Sequence, residues 1–201
     1  MFHARTTGGL ATRLVAPLPA AVLLVAVVLS GCGAGTTLPA GSYTPSANAV
    51  PKFSHIFEIV MENRGYSDII GDTADAPYLN QLATSYALLT QDYAITHPSL
   101  PNYLALLGGD TFGVTSDCTD CFVQGSNLVD SLEAGNKSWR AYMESMPSPC
   151  FVGDSGQYYQ KHDPFIYFDD VRTNATRCQN VVPMDSLASD LTGGATPDFV
   201  W

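Results

Sequence analysis

The sequence predicts an α/β fold with a mostly parallel sheet and flanking helices. Two apolar strand-like runs each lead into a helical pattern, an order that favours parallel pairing. The first run, Lys52 to Met61, is β-branched and aromatic with few breaks, as expected of a central strand. Polar residues, Glu62-Asn63-Arg64, stand at its carboxyl end, where open α/β sheets bind ligands.

The elements follow in order. Ala76 to Tyr86 has Pro77 near its start and apolar residues at helical spacing, which predicts a short helix. Leu88 to Ile95 reads as a second strand. It delivers the chain to Thr96-His97-Pro98-Ser99-Leu100-Pro101-Asn102-Tyr103. There Ser99 stands where an N-cap belongs, Pro101 falls in the first turn, and Leu100, Tyr103, Leu104 and Leu107 recur at helical spacing. Gly108-Gly109 stops that helix. A hydroxyl at a helix N-terminus lies beside unpaired N–H groups, a place to bind an anion or to hold a nucleophilic oxygen. The same Ser99 also reads simply as a helix cap.

Asn127 to Gly135 predicts a helix with a glycine stop, and Ser138 to Glu144 a third strand. Tyr158 to Phe165 is a segment in which aromatics flank His162. Met184 to Leu191 reads as an amphipathic helix, and Pro197 to Trp201 as the opening of another strand. No internal repeat is evident.

The chain has 201 residues and a formal charge of −10. One domain with a sizeable core fits this length. The acidity argues against nucleic acid as a partner, because such binders need stripes of Lys and Arg. Arg5 and Arg13 precede an apolar run from about Val15 to Leu29, which ends in Leu29-Ser30-Gly31-Cys32. This is the pattern of an export signal over 1–31, and its end resembles a bacterial lipobox. Cys32 would then be lipidated and would tie the protein to the outer face of a cell membrane. Residues 32–51, rich in Gly, Ser, Thr, Pro and Ala, read as a flexible tether, and 52–201 as the folded domain. Four further cysteines in an exported chain suggest two disulfides. Three pairings are possible; Cys118–Cys121 with Cys150–Cys178 is favoured because Cys118 and Cys121 bound a compact loop. A redox or zinc role for that CxxC has no second CxxC and no suitably spaced His behind it.

Met61-Glu62-Asn63, Ala76-Pro77-Tyr78-Leu79-Asn80 and His97-Pro98-Ser99-Leu100-Pro101-Asn102-Tyr103 resemble, in order and spacing, the bacterial and fungal phosphoesterase family of acid phosphatases and phospholipases C. Lys161-His162-Asp163-Pro164-Phe165 is similar to that family's Lys-His-Asn-Pro stretch, with Asp163 in place of the usual Asn. The resemblance implies a three-layer fold of the alkaline-phosphatase-like kind and a divalent metal ion. It implies Glu62, Asn63 and Ser99 as metal ligands, Ser99 as nucleophile, and Asn63 and Asn102 on the phosphate. It makes His162 a candidate for contact with the leaving group or the phosphate. In such relatives further metal ligands come from segments beyond the position of Trp201. On that resemblance the chain reads as the front part of the fold, incomplete at its C-terminus and with apolar sheet edges exposed.

These residue types suit phosphoryl transfer. A hard cation lowers the pKa of a hydroxyl and neutralises phosphate charge. Ser99 attack would give a phosphoseryl intermediate that water hydrolyses, with helix N–H groups holding the equatorial oxygens. The expected activity is an acid-phosphatase-like phosphomonoesterase on a phosphate-ester substrate. The alternatives are a phospholipase C-like phosphodiesterase and a non-catalytic lipoprotein that binds phosphate or metal. A serine esterase is disfavoured, since no G-x-S-x-G elbow is present.

Overall fold

Phe57 and Val200, far apart in sequence, sit side by side in a parallel ladder that fixes the sheet. The structure, a computed structural model, describes residues 51–201. The expected signal segment, the lipobox with Cys32 and the tether up to residue 50 lie outside the described residues. Among those described, no helix is long and apolar enough to cross a membrane.

The sheet has four short strands: β1 (Ile56–Phe57), β2 (Trp139–Met143), β3 (Val181–Pro183) and β4 (Phe199–Val200). Their spatial order is β1-β4-β2-β3, and every pairing is parallel. The helices are α1 (Tyr66–Ile69), α2 (Pro77–Ser85), α3 (Ser99–Gly108), α4 (Leu128–Ala134), α5 (Asp169–Arg172), α6 (Ala175–Cys178) and α7 (Ser186–Thr192). Two 3₁₀ turns, Gln160–His162 and Pro164–Tyr167, run on from one another. This is an α/β arrangement, as the alternating pattern implies.

Strand β2 is the centre of the sheet. Trp139, Ala141, Tyr142 and Met143 are buried on both of its faces, the condition for a strand with helices on either side. One cluster joins Leu100, Leu104 and Leu107 of α3 to Val129 of α4 and to Phe165, Ile166, Tyr167 and Phe168. Trp139 stacks on Phe165, with centroids 5.4 Å apart and planes within 6°. Burial of each such large side chain contributes roughly 1.5–3 kcal/mol. The last residue of α3, Gly108, has no room for a side chain: a Cβ there would come within 2.7 Å of both Phe112 and Phe168. Gly109 then takes the left-handed cap conformation, at φ 77°.

Two expected strands differ. Lys52 to Met61 is not a buried central strand: only Ile56 and Phe57 pair, at the sheet edge, and they are about half exposed. One edge of β1 has no strand partner among the described residues. Leu88 to Ile95 forms no strand at all, and Leu89, Tyr93 and Ile95 are largely exposed. A strand exists only by pairing, and no described neighbour offers this segment a ladder.

Both favoured disulfides are present, Cys118–Cys121 and Cys150–Cys178. The first closes a tight loop after α3. The second joins the loop beyond β2 to the end of α6, and Cys178 is fully buried in the core.

Candidate active site

The carboxyl ends of the four parallel strands open onto one cleft of about 630 Å³. Met61 and Glu62 reach it beyond β1, Glu144 beyond β2, and Trp201 beyond β4. Tyr103 from α3 and His162 from the 3₁₀ turn complete the wall nearest Glu62. This is the crevice that an open parallel sheet provides for a ligand.

Glu62 and His162, 100 residues apart, meet there: Glu62 Oε1 lies 3.1 Å from His162 Nε2. The two atoms are close enough for an ion pair but are not aligned as a hydrogen bond, and Nε2 has no hydrogen-bond partner. Burial pushes the His162 imidazole below its ordinary pKa, against the opposing pull of the Glu62 charge. The Tyr103 ring lies 5.4 Å from the His162 ring. Burial, reinforced by Glu62, pushes the Tyr103 phenol well above its ordinary value, so it stays a neutral donor.

Ser99 is the first residue of α3, not its cap; Pro98 holds the cap position in extended backbone. The helix does not need a serine cap, because the Asp117 carboxylate accepts the Leu100 N–H at 3.0 Å. The expected anion seat is therefore already filled at that amide by a carboxylate of the chain itself. Partial burial would raise the Asp117 pKa, but the Leu100 amide and Lys161 outweigh it and hold the group below the usual range. Ser99 is half-buried, and its hydroxyl is not used in capping.

Asn102 fixes the approach to Ser99. Its Oδ1 accepts from the Ile95 and Thr96 amides at 3.0 and 3.1 Å. Its Nδ2 donates to the Thr96 and Pro98 carbonyls at 2.9 and 2.8 Å. The amide expected on a phosphate oxygen is committed to the backbone on either side of His97. Asn80, from the Ala-Pro-Tyr-Leu-Asn motif, does the same for another turn: its Nδ2 donates to the Ile69, Asp72 and Ala76 carbonyls. Asn63 is exposed, in the left-handed region at φ 56°, a conformation Asn tolerates.

The fold thus brings Glu62, His162 and Tyr103 to one wall. Neither Ser99 nor Asn63 lines that cleft. Asp117 and Tyr103 belong to the neighbourhood of the site; no motif contained Asp117, and the motif that ends in Tyr103 gave that residue no role. Tyr103 follows Asn102 in the Ser-Leu-Pro-Asn-Tyr run and was legible only as a core position. Among the described residues no three His, Cys, Asp or Glu side chains gather as a metal-ligand set. Glu62 and His162 are two donors of such a set, and the described residues do not by themselves make a metal centre.

A sequence model of the Phosphoesterase family matches residues 72–201, which takes in Asn80, Ser99, Asn102 and His162 and begins after Glu62 and Asn63. An acid phosphatase of Aspergillus fumigatus is 33% identical over 169 residues, 79% of this chain and 37% of that protein. A phosphatidylinositol-3-phosphatase of Mycobacterium tuberculosis is 39% identical over 132 residues, 64% of this chain and 43% of that protein. A probable acid phosphatase of Kluyveromyces lactis is 34% identical over 158 residues, 74% of this chain and 37% of that protein. The chain spans about two fifths of the length of these curated relatives. With a family match over more than half of its residues, the chain belongs to the Phosphoesterase family.

Proposed function

We propose that this protein hydrolyses phosphomonoesters with Ser99 as the nucleophile. The observation that carries the reading is the setting of Ser99: first residue of a ten-residue helix, its hydroxyl not used as a cap, its approach pinned by the hydrogen bonds of Asn102 to Ile95, Thr96 and Pro98. In the reaction the Ser99 oxygen attacks phosphorus as the bond to the leaving oxygen breaks, and the hydroxyl proton passes to water. Below its lowered pKa His162 is the imidazolium, with Glu62 offsetting part of the effect of burial, and in that form it gives a proton to the leaving alkoxide. Water then attacks the phosphoserine, releasing inorganic phosphate and restoring the hydroxyl. Relatives named acid phosphatase support a monoester substrate.

The charged side chains of the cleft wall other than His162 are Glu58, Glu62 and Glu144. Such a wall repels a polyphosphorylated ligand and favours one phosphate accompanied by a cation. A divalent ion belongs to this reading, with Glu62, Asn63 and Ser99 as the residues that would hold it; when bound it would lower the pKa of the hydroxyl and neutralise phosphate charge. Lipidation of Cys32, with the chain held at the outer membrane face, belongs to the reading too. It is supported by the Leu-Ser-Gly-Cys motif alone, and mass analysis of the mature N-terminus tests it.

The test of function is release of nitrophenol from p-nitrophenyl phosphate by the full chain, across pH and with Mg²⁺, Mn²⁺, Ca²⁺ or Zn²⁺ added. Turnover that is lost in Ser99→Ala supports the mechanism, and turnover retained in that variant overturns it. The sparse donor set favours a second reading, a phosphate- or metal-binding protein without turnover. Calorimetric binding of phosphate or metal by a folded but inactive chain would select it. A phospholipase C-like activity would instead show as cleavage of a phosphodiester.

A further inference from the structure

Asp117 touches both elements that carry the proposed chemistry. Its Oδ1 accepts the Leu100 N–H at 3.0 Å, one residue after Ser99. Its Oδ2 pairs with Lys161 Nζ at 2.9 Å, one residue before His162. The Leu100 amide is among those a helix leaves without an internal partner, so this carboxylate decides how firmly the first turn of α3 is closed. A negative group there also suits the positive end of the helix dipole.

The loop that bears Asp117 is held just as closely. The Cys118–Cys121 disulfide closes it immediately after the carboxylate. The Cys118 carbonyl accepts from the Tyr167 hydroxyl at 2.8 Å. The Thr119 carbonyl accepts from Gln160 Nε2 at 3.0 Å, and Gln160 is fully buried. The loop is thus bonded to the N-terminus of α3 on one side and to the turns from Gln160 to Tyr167 on the other.

From this geometry we propose that Asp117 is a positioning residue for phosphoester hydrolysis, with its disulfide-closed loop acting as a splint that sets the first turn of the Ser99 helix against the Lys161-His162 turn. The inference rests on the reading of Ser99 as nucleophile and deepens it. Asp117 touches no reacting atom. It acts by holding Ser99 and His162 in one frame, and misplacement of a reacting group by about 1 Å costs on the order of 100-fold in rate.

The test uses the full chain and two readouts, p-nitrophenyl phosphate kinetics and amide hydrogen exchange. Asp117→Ala removes both contacts. It is expected to lower kcat by roughly 10- to 100-fold with KM changed by less than about threefold. Exchange should accelerate at Leu100 and at the amides of the His162 turn. Asp117→Asn keeps an acceptor for Leu100 and loses the charge facing Lys161, so Leu100 should stay protected while the His162 turn exchanges faster, and kcat should regain only part of the loss. An unchanged kcat in Asp117→Ala, in a parent chain that turns over, overturns the positioning role; unchanged exchange overturns the splint. A parent chain without turnover sinks the hydrolytic reading separately. The splint is then judged on exchange alone, and acceleration at Leu100 without any at the His162 turn overturns it. Should Asp117→Ala fail to fold, Lys161→Met cuts the other half of the bridge. It should loosen the His162 turn and leave Leu100 protected, and protection retained at both would overturn the proposal.

Discussion

Glu62 Oε1 stands 3.1 Å from His162 Nε2, and that nitrogen, shielded from solvent, has no hydrogen-bond partner. Burial favours the neutral imidazole, and the Glu62 carboxylate favours the charged one. Burial has the larger effect, so His162 should titrate below the ordinary value of about 6.5. Replacing Glu62 by Gln removes the charge that supports the imidazolium, and the midpoint should fall further. Ring chemical shifts of His162 followed across pH check both statements. A midpoint that rises in Glu62→Gln would show that the two groups are not coupled in the sense described.

Asp163 introduces a second pH dependence, on stability. It is fully buried; one oxygen takes the Tyr158 hydroxyl at 2.9 Å and the other has no hydrogen-bond partner. Burial raises its pKa to about 7, despite the opposing Tyr158 hydrogen bond. A folded-state value above the unfolded one means that the fold holds the proton more tightly. The contribution of this group is therefore fully present below about pH 4, declines as pH rises, and is gone above about pH 7. Asp163→Asn should flatten that dependence. Its melting temperature should exceed the parent's at pH 8 by several degrees and differ little at pH 4, given roughly 2–4 °C per kcal/mol for a domain of this size. Thermal unfolding at the two pH values decides it. Equal gains at both would mean that Asp163 stays neutral throughout.

The parts of the fold legible in the sequence are those whose signal is local. Pro77 opening α2, Asn127 capping α4 and Gly109 closing α3 are each fixed by the chemistry of one or two residues. The β2 strand was legible because its residues are buried on both faces. The Leu88 to Ile95 run was misleading because its apolar and aromatic residues state a preference, while a strand needs a neighbour. The three-residue β3 carries too short a pattern to stand out, yet it is the edge against which β2 is aligned. At the site, the motifs brought Ser99, Asn102 and His162 into view. They did not show that Asp117 would close the α3 terminus or that Asn102 would turn to the backbone. Both are long-range or conformational facts that no spacing encodes.

The two disulfides should differ in what their loss costs. In the chain-entropy view a cross-link stabilises according to the loop it closes. The sequence separations are 3 for Cys118–Cys121 and 28 for Cys150–Cys178. The short loop corresponds to roughly 2 kcal/mol and the long one to between about 3 and 4 kcal/mol. Cys178 is also fully buried, so its replacement disturbs packing as well. Urea unfolding of the paired Cys→Ser variants should rank them in that order. A larger loss for the Cys118–Cys121 pair would mean that the short loop stabilises chiefly through its contacts with Gln160, Tyr167 and α3.

Asn102 offers the sharpest separation of stability from chemistry. Its hydrogen bonds all go to backbone between Ile95 and Ser99, four of them at 2.8–3.1 Å and a long fifth to the Ser99 carbonyl at 3.5 Å. At roughly 0.5–1.5 kcal/mol each, discounted for partial exposure, Asn102→Ala should cost about 2–3 kcal/mol. Asn102→Asp should be worse than Ala despite its closer shape. It keeps the acceptor for the Ile95 and Thr96 amides but turns a carboxylate oxygen toward the Thr96 and Pro98 carbonyls, where a donor is required. Hydrogen exchange at Ile95 and Thr96 should quicken in the Ala variant and much less in the Asp variant, which still accepts from both amides. Melting temperature should instead fall further for Asp. If Asp were the more stable of the two, the donor half of the clamp would not contribute. Ser99 would then be approached by a segment held only through its amides.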